Sequence, residues 1–386
     1  MEKREALIII NALPEIGPVR LRSLLEHYPD PVDALNAPLE KLERVPRLGT
    51  RCAAMLHDWQ QYFDLGQEMR LLQQAGVQLL TMEDGNYPSA LREIHDPPVC
   101  LYLRGSSAAL GNCSRSVAMV GSRFATAYGR KMARQLTQGA VAAGWTVVSG
   151  LARGIDAVCH ETAVESGGCT VAVLGSGFLH LYPRENAGLA QRIAESGGAF
   201  VSEFPMNAQP ARCHFPMRNR IISGLCCGTV VVEAGLNSGS IITATQAVEQ
   251  GRTVFAVPGN ADTPFSRGCN ALIRDGARLI ENFSDILDEF STLPSVSEQR
   301  RERAETQLRE SPPVEIPVSD AEWRMWQEIG ESGCGVDDLV VRSGESTASV
   351  LGTLLLLEIK QLIEQLPGKR LRRCARRTAV PEKAER

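Results

Sequence analysis

The densest chemistry in the sequence lies in QPARCHFPMRNRIISGL, where Arg212, Phe215, Arg218, Asn219 and Arg220 fall within nine positions. Arginines neutralise phosphates, and an aromatic ring on the same surface stacks a base for about 1–3 kcal/mol. Phe215 is the ring available for that. Composition alone leaves a second arrangement open, in which Phe215 packs in the core and the arginines are surface charge.

Glycine-bearing turns supply the next set. VAMVGSRFATAYGR places Gly121, Ser122 and Arg123 where a strand ends and a helix begins, so unpaired backbone N–H groups, the positive end of the helix dipole and the Arg123 fork are expected to hold a phosphate. SGLARGID carries Gly150, Gly154 and Asp156, and GSGFLHLYP carries Gly175 and Gly177. Turns following parallel strands line one edge of a sheet, where open α/β sheets bind ligands. VVEAGLNSGSIITATQA adds Gly239 and Ser240 at a further helix start, although a plain N-cap explains Ser240 equally well.

These residues exclude several classes of chemistry. Gly175, Ser176, Gly177, Phe178, Leu179 and His180 lack the third glycine of G-x-G-x-x-G, and G-x-x-x-x-G-K-[ST] is absent, so neither a dinucleotide cofactor nor a Walker-type ATPase site is expected. Glu233 has no nearby His or second carboxylate to form an acid/base set, and no catalytic residue is assigned. Cys159–His160 and Cys213–His214 lack metal-ligand spacing, so no metal is expected.

The elements that must position this chemistry read as α/β. The runs VAMVG, WTVVSG, TVAVLGSG, AFVSEF, TVVVEAG and TVFAVPG alternate with helical stretches such as 125–143 and 240–250. Strands apolar on both faces belong to parallel sheets, which predicts a Rossmann-like, doubly wound, mostly parallel sheet over residues 80–290, with 80–104 as its lead-in strand and turn. Residues 1–79 show helical periodicity and resemble a helix-hairpin-helix or SAM-like bundle. Its turns LPEIGPVRLRSLLEHY and VPRLGTRCAAML each set a glycine before a helix bearing Arg20 and Arg22 or Arg51, an arrangement that plain packing also explains. Residues 291–318 are rich in charge, Ser and Pro and read as a linker. Residues 319–386 suggest a winged helix: a helix around Trp323 and Trp326, a turn at GCGVDDL, the long apolar helix SVLGTLLLLEIKQLIEQ, and a basic tail, GKRLRRCARR.

A chain of 386 residues with 44% hydrophobic and 22% charged residues is ordinary globular material for two or three domains. The net charge of −4 requires any polyanion site to be a local basic patch. Eleven cysteines, odd in number and including the adjacent Cys226 and Cys227, fit a reducing cytoplasm better than a disulfide scaffold. MEKREALIII runs into NALPEIG without a cleavage-site pattern, and no stretch approaches the roughly 20 apolar residues of a membrane span, so no membrane association is expected.

Taken in order, GSRFATAYG, SGLARGID, GSGFLHLYP, SEFP, FPMRNRIISGL, VVEAGLNSGSIITA, GRTVFAVPG and RGCNALIRDGA resemble the DNA-processing protein A (DprA/Smf) family across about residues 85–285. The resemblance implies a homodimer that binds and protects incoming single-stranded DNA and loads RecA recombinase during natural transformation, without catalytic turnover. By match to the family's motifs, Ser122 and Arg123 would hold a backbone phosphate, Arg212 and Phe215 would contact and stack on DNA, and Arg218 and Arg220 would support the same pocket. Two alternatives belong to other classes. A Rossmann-like nucleotide hydrolase would share the phosphate-binding turns, but GTVVVEAGLNSGS lacks that group's P-G-G-x-G-T loop. A nucleotide-sensing transcriptional regulator would read duplex DNA through the winged helix, whose long helix has few side chains suited to base edges.

Overall fold

The six apolar runs become strands of one nine-stranded sheet, in a computed structural model that describes residues 1–111, 113–290, 314–329, 334–360, 362–366, 370–373 and 377–381. The strands are β1 (Gln78–Thr81), β2 (Cys100–Gly105), β3 (Ser116–Gly121), β4 (Thr146–Ser149), β5 (Thr170–Val173), β6 (Ala199–Ser202), β7 (Gly228–Glu233), β8 (Thr253–Ala256) and β9 (Arg278–Leu279). Their order is β1-β2-β6-β5-β4-β3-β7-β8-β9; every pair from β6 to β9 is parallel, and β1–β2 and β2–β6 are antiparallel. The parallel part starts at β3, winds outward to β6, and returns to set β7 on the other side of β3. That reversal is the topological switch of a doubly wound fold, and it directs ligands to the C-terminal strand ends.

Six helices precede the sheet: α1 (Lys3–Ala12), α2 (Pro18–His27), α3 (Pro31–Asn36), α4 (Leu39–Leu42), α5 (Thr50–His57) and α6 (Leu65–Ala75). Between and after the strands come α7 (Ser89–Arg92), α8 (Ala127–Ala142), α9 (Ile155–Glu165), α10 (Ala187–Glu195), α11 (His214–Gly224), α12 (Gly239–Glu249), α13 (Arg267–Arg274) and α14 (Ser284–Phe290). Alternation along β3 sends Val117 and Met119 to one face with Met132, Leu136 and Trp145, and Ala118 and Val120 to the other with Val148, Val173, Ile221 and Ile222. Both faces are therefore covered, which is why these strands read as unbroken apolar runs.

The helices of residues 1–79 share a core with Leu79, Cys100, Tyr102 and Met206, so they and the sheet form one compact unit, Met1–Phe290. Their two glycine turns share one backbone feature. Glu15 (φ 65°) and Arg47 (φ 63°) each adopt the left-handed region two residues before Gly17 and Gly49, the N-caps of α2 and α5. The arginines singled out there have partners within the chain: Arg20 donates to the Glu15 carbonyl at 2.6 Å, Arg22 lies 3.6 Å from Glu26, and Arg51 pairs with Glu15 at 2.8 Å.

The second unit has helices Asp320–Glu328, Val336–Ser343 and Thr347–Ile359 and an antiparallel sheet of Cys334–Gly335, Arg370–Arg373 and Ile363–Leu366, which is a winged helix. Two expectations are corrected here. The apolar run is not one helix to Gln365, because the helix stops at Ile359 and Leu362 and Ile363 enter the core at the start of a strand. An apolar run cannot by periodicity alone show where helix gives way to strand. Part of the supposed basic tail, Arg370–Arg373, is the central strand of this sheet, and Arg373 lies 4.0 Å over the Trp326 ring rather than at a solvated end. Within the expected linker Val314–Val318 is a strand, paired in parallel with Arg377–Pro381; residues 291–313 lie outside the described residues. Among the described residues no helix is long and apolar enough to cross a membrane, and Cys52, Cys100, Cys159, Cys169, Cys213 and Cys269 form no disulfide.

Candidate nucleic-acid interface

At the C-terminal ends of β3, β4 and β5, beside the start of α11, a cavity of about 140 Å³ is lined by Arg123, Arg153 and Arg218, by Phe124, Tyr182 and Phe215, and by Gly150, Ala152 and Pro183. Larger hollows exist: those of about 770 Å³, between the N-terminal helices and residues 204–217, and about 540 Å³, by β7 and β8, have no arginine in their lining, and those of about 440 and 490 Å³ carry two arginines each but no Phe, Tyr or Trp. Convergence of cations and rings, not size, marks the functional candidate.

The start of α11 builds the aromatic side of the cavity. Phe215 is partly exposed; Arg123 stands over its ring at 5.3 Å, and the Tyr182 ring is 5.7 Å away at 57°. Arg123 in the lining is exposed, and Arg212 is exposed just ahead of α11. The turn glycines make this packing physically allowed. A Cβ on Gly175 would come within 2.9 Å of the Phe215 ring, and one on Gly150 within 2.6 Å of the Arg218 guanidinium. Gly154 has φ +76°, and a Cβ there would collide with the Ser122 carbonyl. Gly121 similarly leaves room for Ile155. Sequence reasoning found these glycines as places where phosphate meets backbone; the structure uses them for close approach of side chain and chain.

The first turn also departs from expectation. α8 starts at Ala127, with Thr126 as N-cap, and its positive end faces the buried Glu233 carboxylate, which accepts from Thr126 N at 3.1 Å and Thr126 Oγ1 at 2.9 Å. Ser122 N donates to the Glu233 carbonyl at 2.7 Å, and Ser122 Oγ accepts from Phe124 N. An internal anion thus answers the helix dipole, leaving the Arg123 side chain as the exposed cation of this turn. The same geometry commits Glu233, the carboxylate that a hydrolase would need, to capping.

Three further residues are redirected. Arg220 is buried; its guanidinium grips Glu203 with Nη1–Oε1 at 3.0 Å and Nη2–Oε2 at 2.6 Å, while Nε donates to the Asp96 carbonyl at 3.0 Å. Its donors are occupied within the fold and the cavity is lined by other residues, so Arg220 ties α11 to the end of β6 and the loop before β2. Ser238, not Ser240, caps α12; Ser240 is buried with its Oγ 2.8 Å from Ser238 Oγ. Gly239 is exposed and away from the cavity, and Asn219 Nδ2 donates to its carbonyl at 3.3 Å, tying α11 to α12.

Arg218 forms the floor. Its Nη1 donates to the Gly150 carbonyl at 2.6 Å and to the Val173 carbonyl, and Nε to Asn219 Oδ1 at 3.3 Å. Burial brings Arg218 down to about 10, opposed by the charge of Asp156 and assisted by that of Arg123, so it stays cationic at neutral pH. Burial raises Asp156, against the pull of Arg218 and of N–H bonds from Gly150 and Ala152. Phe124, Arg153 and Tyr182 were not singled out by sequence reasoning, yet each lies inside a glycine motif that was: GSRFATAYG, SGLARGID and GSGFLHLYP. Adjacency of a ring or arginine to a turn glycine was the available signal. Arg153 is exposed and held by Glu185, with Nη2–Oε2 at 2.7 Å.

Behind this floor His160 is fully buried, its Nδ1 2.8 Å from Thr170 Oγ1, and burial together with the Arg218 charge lowers it from 6.5 to about 3. The unfolded chain binds more protons than the fold between those values, so His160 costs stability as pH falls from about 6.5 towards 3, and Asp156 acts in the opposite sense. Urea unfolding at pH 7 and pH 5 is expected to show a lower midpoint at pH 5, with a smaller drop in His160→Gln. Equal drops in the two proteins would contradict the assignment to His160.

A family model described as DNA recombination-mediator protein A matches residues 78–291, more than half of the chain. The chain belongs to the DprA/Smf family. A second model, the DprA winged helix domain, matches residues 309–369. DNA processing protein DprA of Bacillus subtilis is 40% identical over 262 residues, 68% of this chain and 87% of that protein. Protein Smf of Escherichia coli is 39% identical over 317 residues, 80% of this chain and 82% of its own. Among solved structures, DprA of Streptococcus pneumoniae superposes with a TM-score of 0.64 at 34% identity, covering 75% of this chain and 98% of that one. DprA of Helicobacter pylori, whose structure concerns a single-stranded-DNA-binding mode, gives a TM-score of 0.50 at 29% identity over 55% of this chain and 95% of that one.

Proposed function

We propose that this DprA/Smf-family protein binds single-stranded DNA at the cavity by α11, holding a backbone phosphate with Arg123 and Arg212 and stacking a base on Phe215. The observation that carries the reading is the placement of Arg123 over Phe215, 5.3 Å from its centroid, at a cavity whose other rings are Phe124 and Tyr182. One surface then offers both elements of sequence-tolerant single-strand binding, a backbone cation and a base platform. The H. pylori relative supports the choice of ligand. The same reading extends, on family resemblance, to a cytoplasmic homodimer that protects incoming DNA and passes it to RecA during natural transformation, with no reaction of its own.

Fluorescence anisotropy with single-stranded and duplex oligonucleotides at two salt concentrations tests the central claim. Single strands are expected to bind more tightly, with affinity falling as salt rises because counterions are released. Absence of single-strand binding would overturn the proposal.

A further inference from the structure

The cavity floor carries a donor that the phosphate-and-stacking reading does not use. Arg218 is only 4% exposed, and two of its nitrogens are occupied, Nη1 by the carbonyls of Gly150 and Val173 and Nε by Asn219. Its Nη2 makes no hydrogen bond among the described residues, and Arg218 lines the cavity. Nη2 is not among the fully buried unpartnered atoms, so it is open to the cavity and can donate to an acceptor placed there.

The charge layout distinguishes a base from a second phosphate. Behind the floor the buried carboxyl group of Asp156 offsets Arg218, whereas in the lining Arg123 is exposed and Arg153 is already held by Glu185, with Arg212 exposed just ahead of α11. Anions are therefore drawn to the rim and a neutral group to the floor. At about 140 Å³, room for four or five waters, the cavity suits a single ring system between aromatic walls.

A base inserted from a backbone held at the rim enters with the edge opposite its sugar leading. That edge ends in a carbonyl oxygen in thymine (O4) and guanine (O6), but in an amino group in cytosine (N4) and adenine (N6). We propose that Arg218 reads this edge, so that the cavity prefers bases with a carbonyl at its floor and disfavours those with an amino group, whose N–H would face the Arg218 donor. The inference rests on the single-stranded-DNA reading and adds a base preference to it. Arg218 is thereby a specificity-determining residue, while Phe215 stacks any base.

Short deoxyuridine and deoxycytidine homopolymers test this directly, since their bases are of equal size and differ at the 4-position, and deoxyuridine lacks the thymine methyl group. With the full-length protein the deoxyuridine oligomer is expected to bind about tenfold more tightly, the worth of one charge-assisted hydrogen bond. The ratio should stay constant between about 50 and 200 mM salt, because the discriminating contact involves no phosphate. Arg218→Lys, which keeps the charge but loses the planar fork, is expected to narrow the ratio. Equal affinities in the wild-type protein, a cytidine preference, or a ratio that persists in folded Arg218→Lys would overturn the inference. If the variant does not fold, the wild-type ratio and its salt independence still decide. Binding of neither oligomer would instead remove the underlying single-stranded-DNA reading.

Discussion

Replacing Phe215 by alanine is expected to weaken single-stranded DNA binding roughly 5- to 150-fold, the loss of about 1–3 kcal/mol for one stacked base. Phe215 has Arg123 and Tyr182 beside its ring and lies close against Gly175, so its ring is held before a base arrives. Arg123→Ala should differ in kind. It removes one phosphate contact, so the slope of log affinity against log salt should decrease by about 0.7, whereas Phe215→Ala should leave that slope unchanged. Anisotropy titrations over a salt series measure both quantities. An unchanged affinity in Phe215→Ala would return the ring to a packing role, the arrangement that composition alone left open.

Arg220→Met is expected to lower folding stability by about 3–5 kcal/mol, because it leaves the buried Glu203 carboxylate without its bidentate partner. The pair ties α11 to β6, and Arg220 also reaches Asp96, so the loss should loosen the platform that carries Phe215. Replacing both partners, in Arg220→Met with Glu203→Leu, should recover much of the stability by removing the uncompensated charge. Urea unfolding of the two variants measures this. If Arg220→Met retained wild-type stability but lost part of the salt slope, Arg220 would be a DNA contact and the structural assignment would be wrong.

A mostly parallel, doubly wound sheet was legible in the apolar runs, because strands covered on both faces must be apolar throughout and their runs stand out between helices. The ordered glycine motifs also marked turns at the C-terminal strand ends: a turn requiring left-handed backbone, as at Gly154, or close approach, as at Gly150 and Gly175, admits few other residues. The boundary of the apolar run after Ile359 was not legible, since helix and strand can bury the same residues and only the pairing of Ile363–Leu366 with Arg370–Arg373 separates them.

Which polar side chains of one motif face the cavity was not legible, because it depends on how α11 packs against elements far away in the chain. Arg218 and Arg220 are two residues apart on α11, so about 200° of helix rotation separates them. One enters the cavity floor against Gly150 and Val173, and the other points into the ion pair with Glu203. Likewise Glu233 meets Thr126 across more than a hundred residues of chain, and in doing so closes the helix start that local sequence presents as free. Residue type and spacing specify which interactions a side chain can make, but its partner is set by elements distant in sequence that the fold brings alongside it.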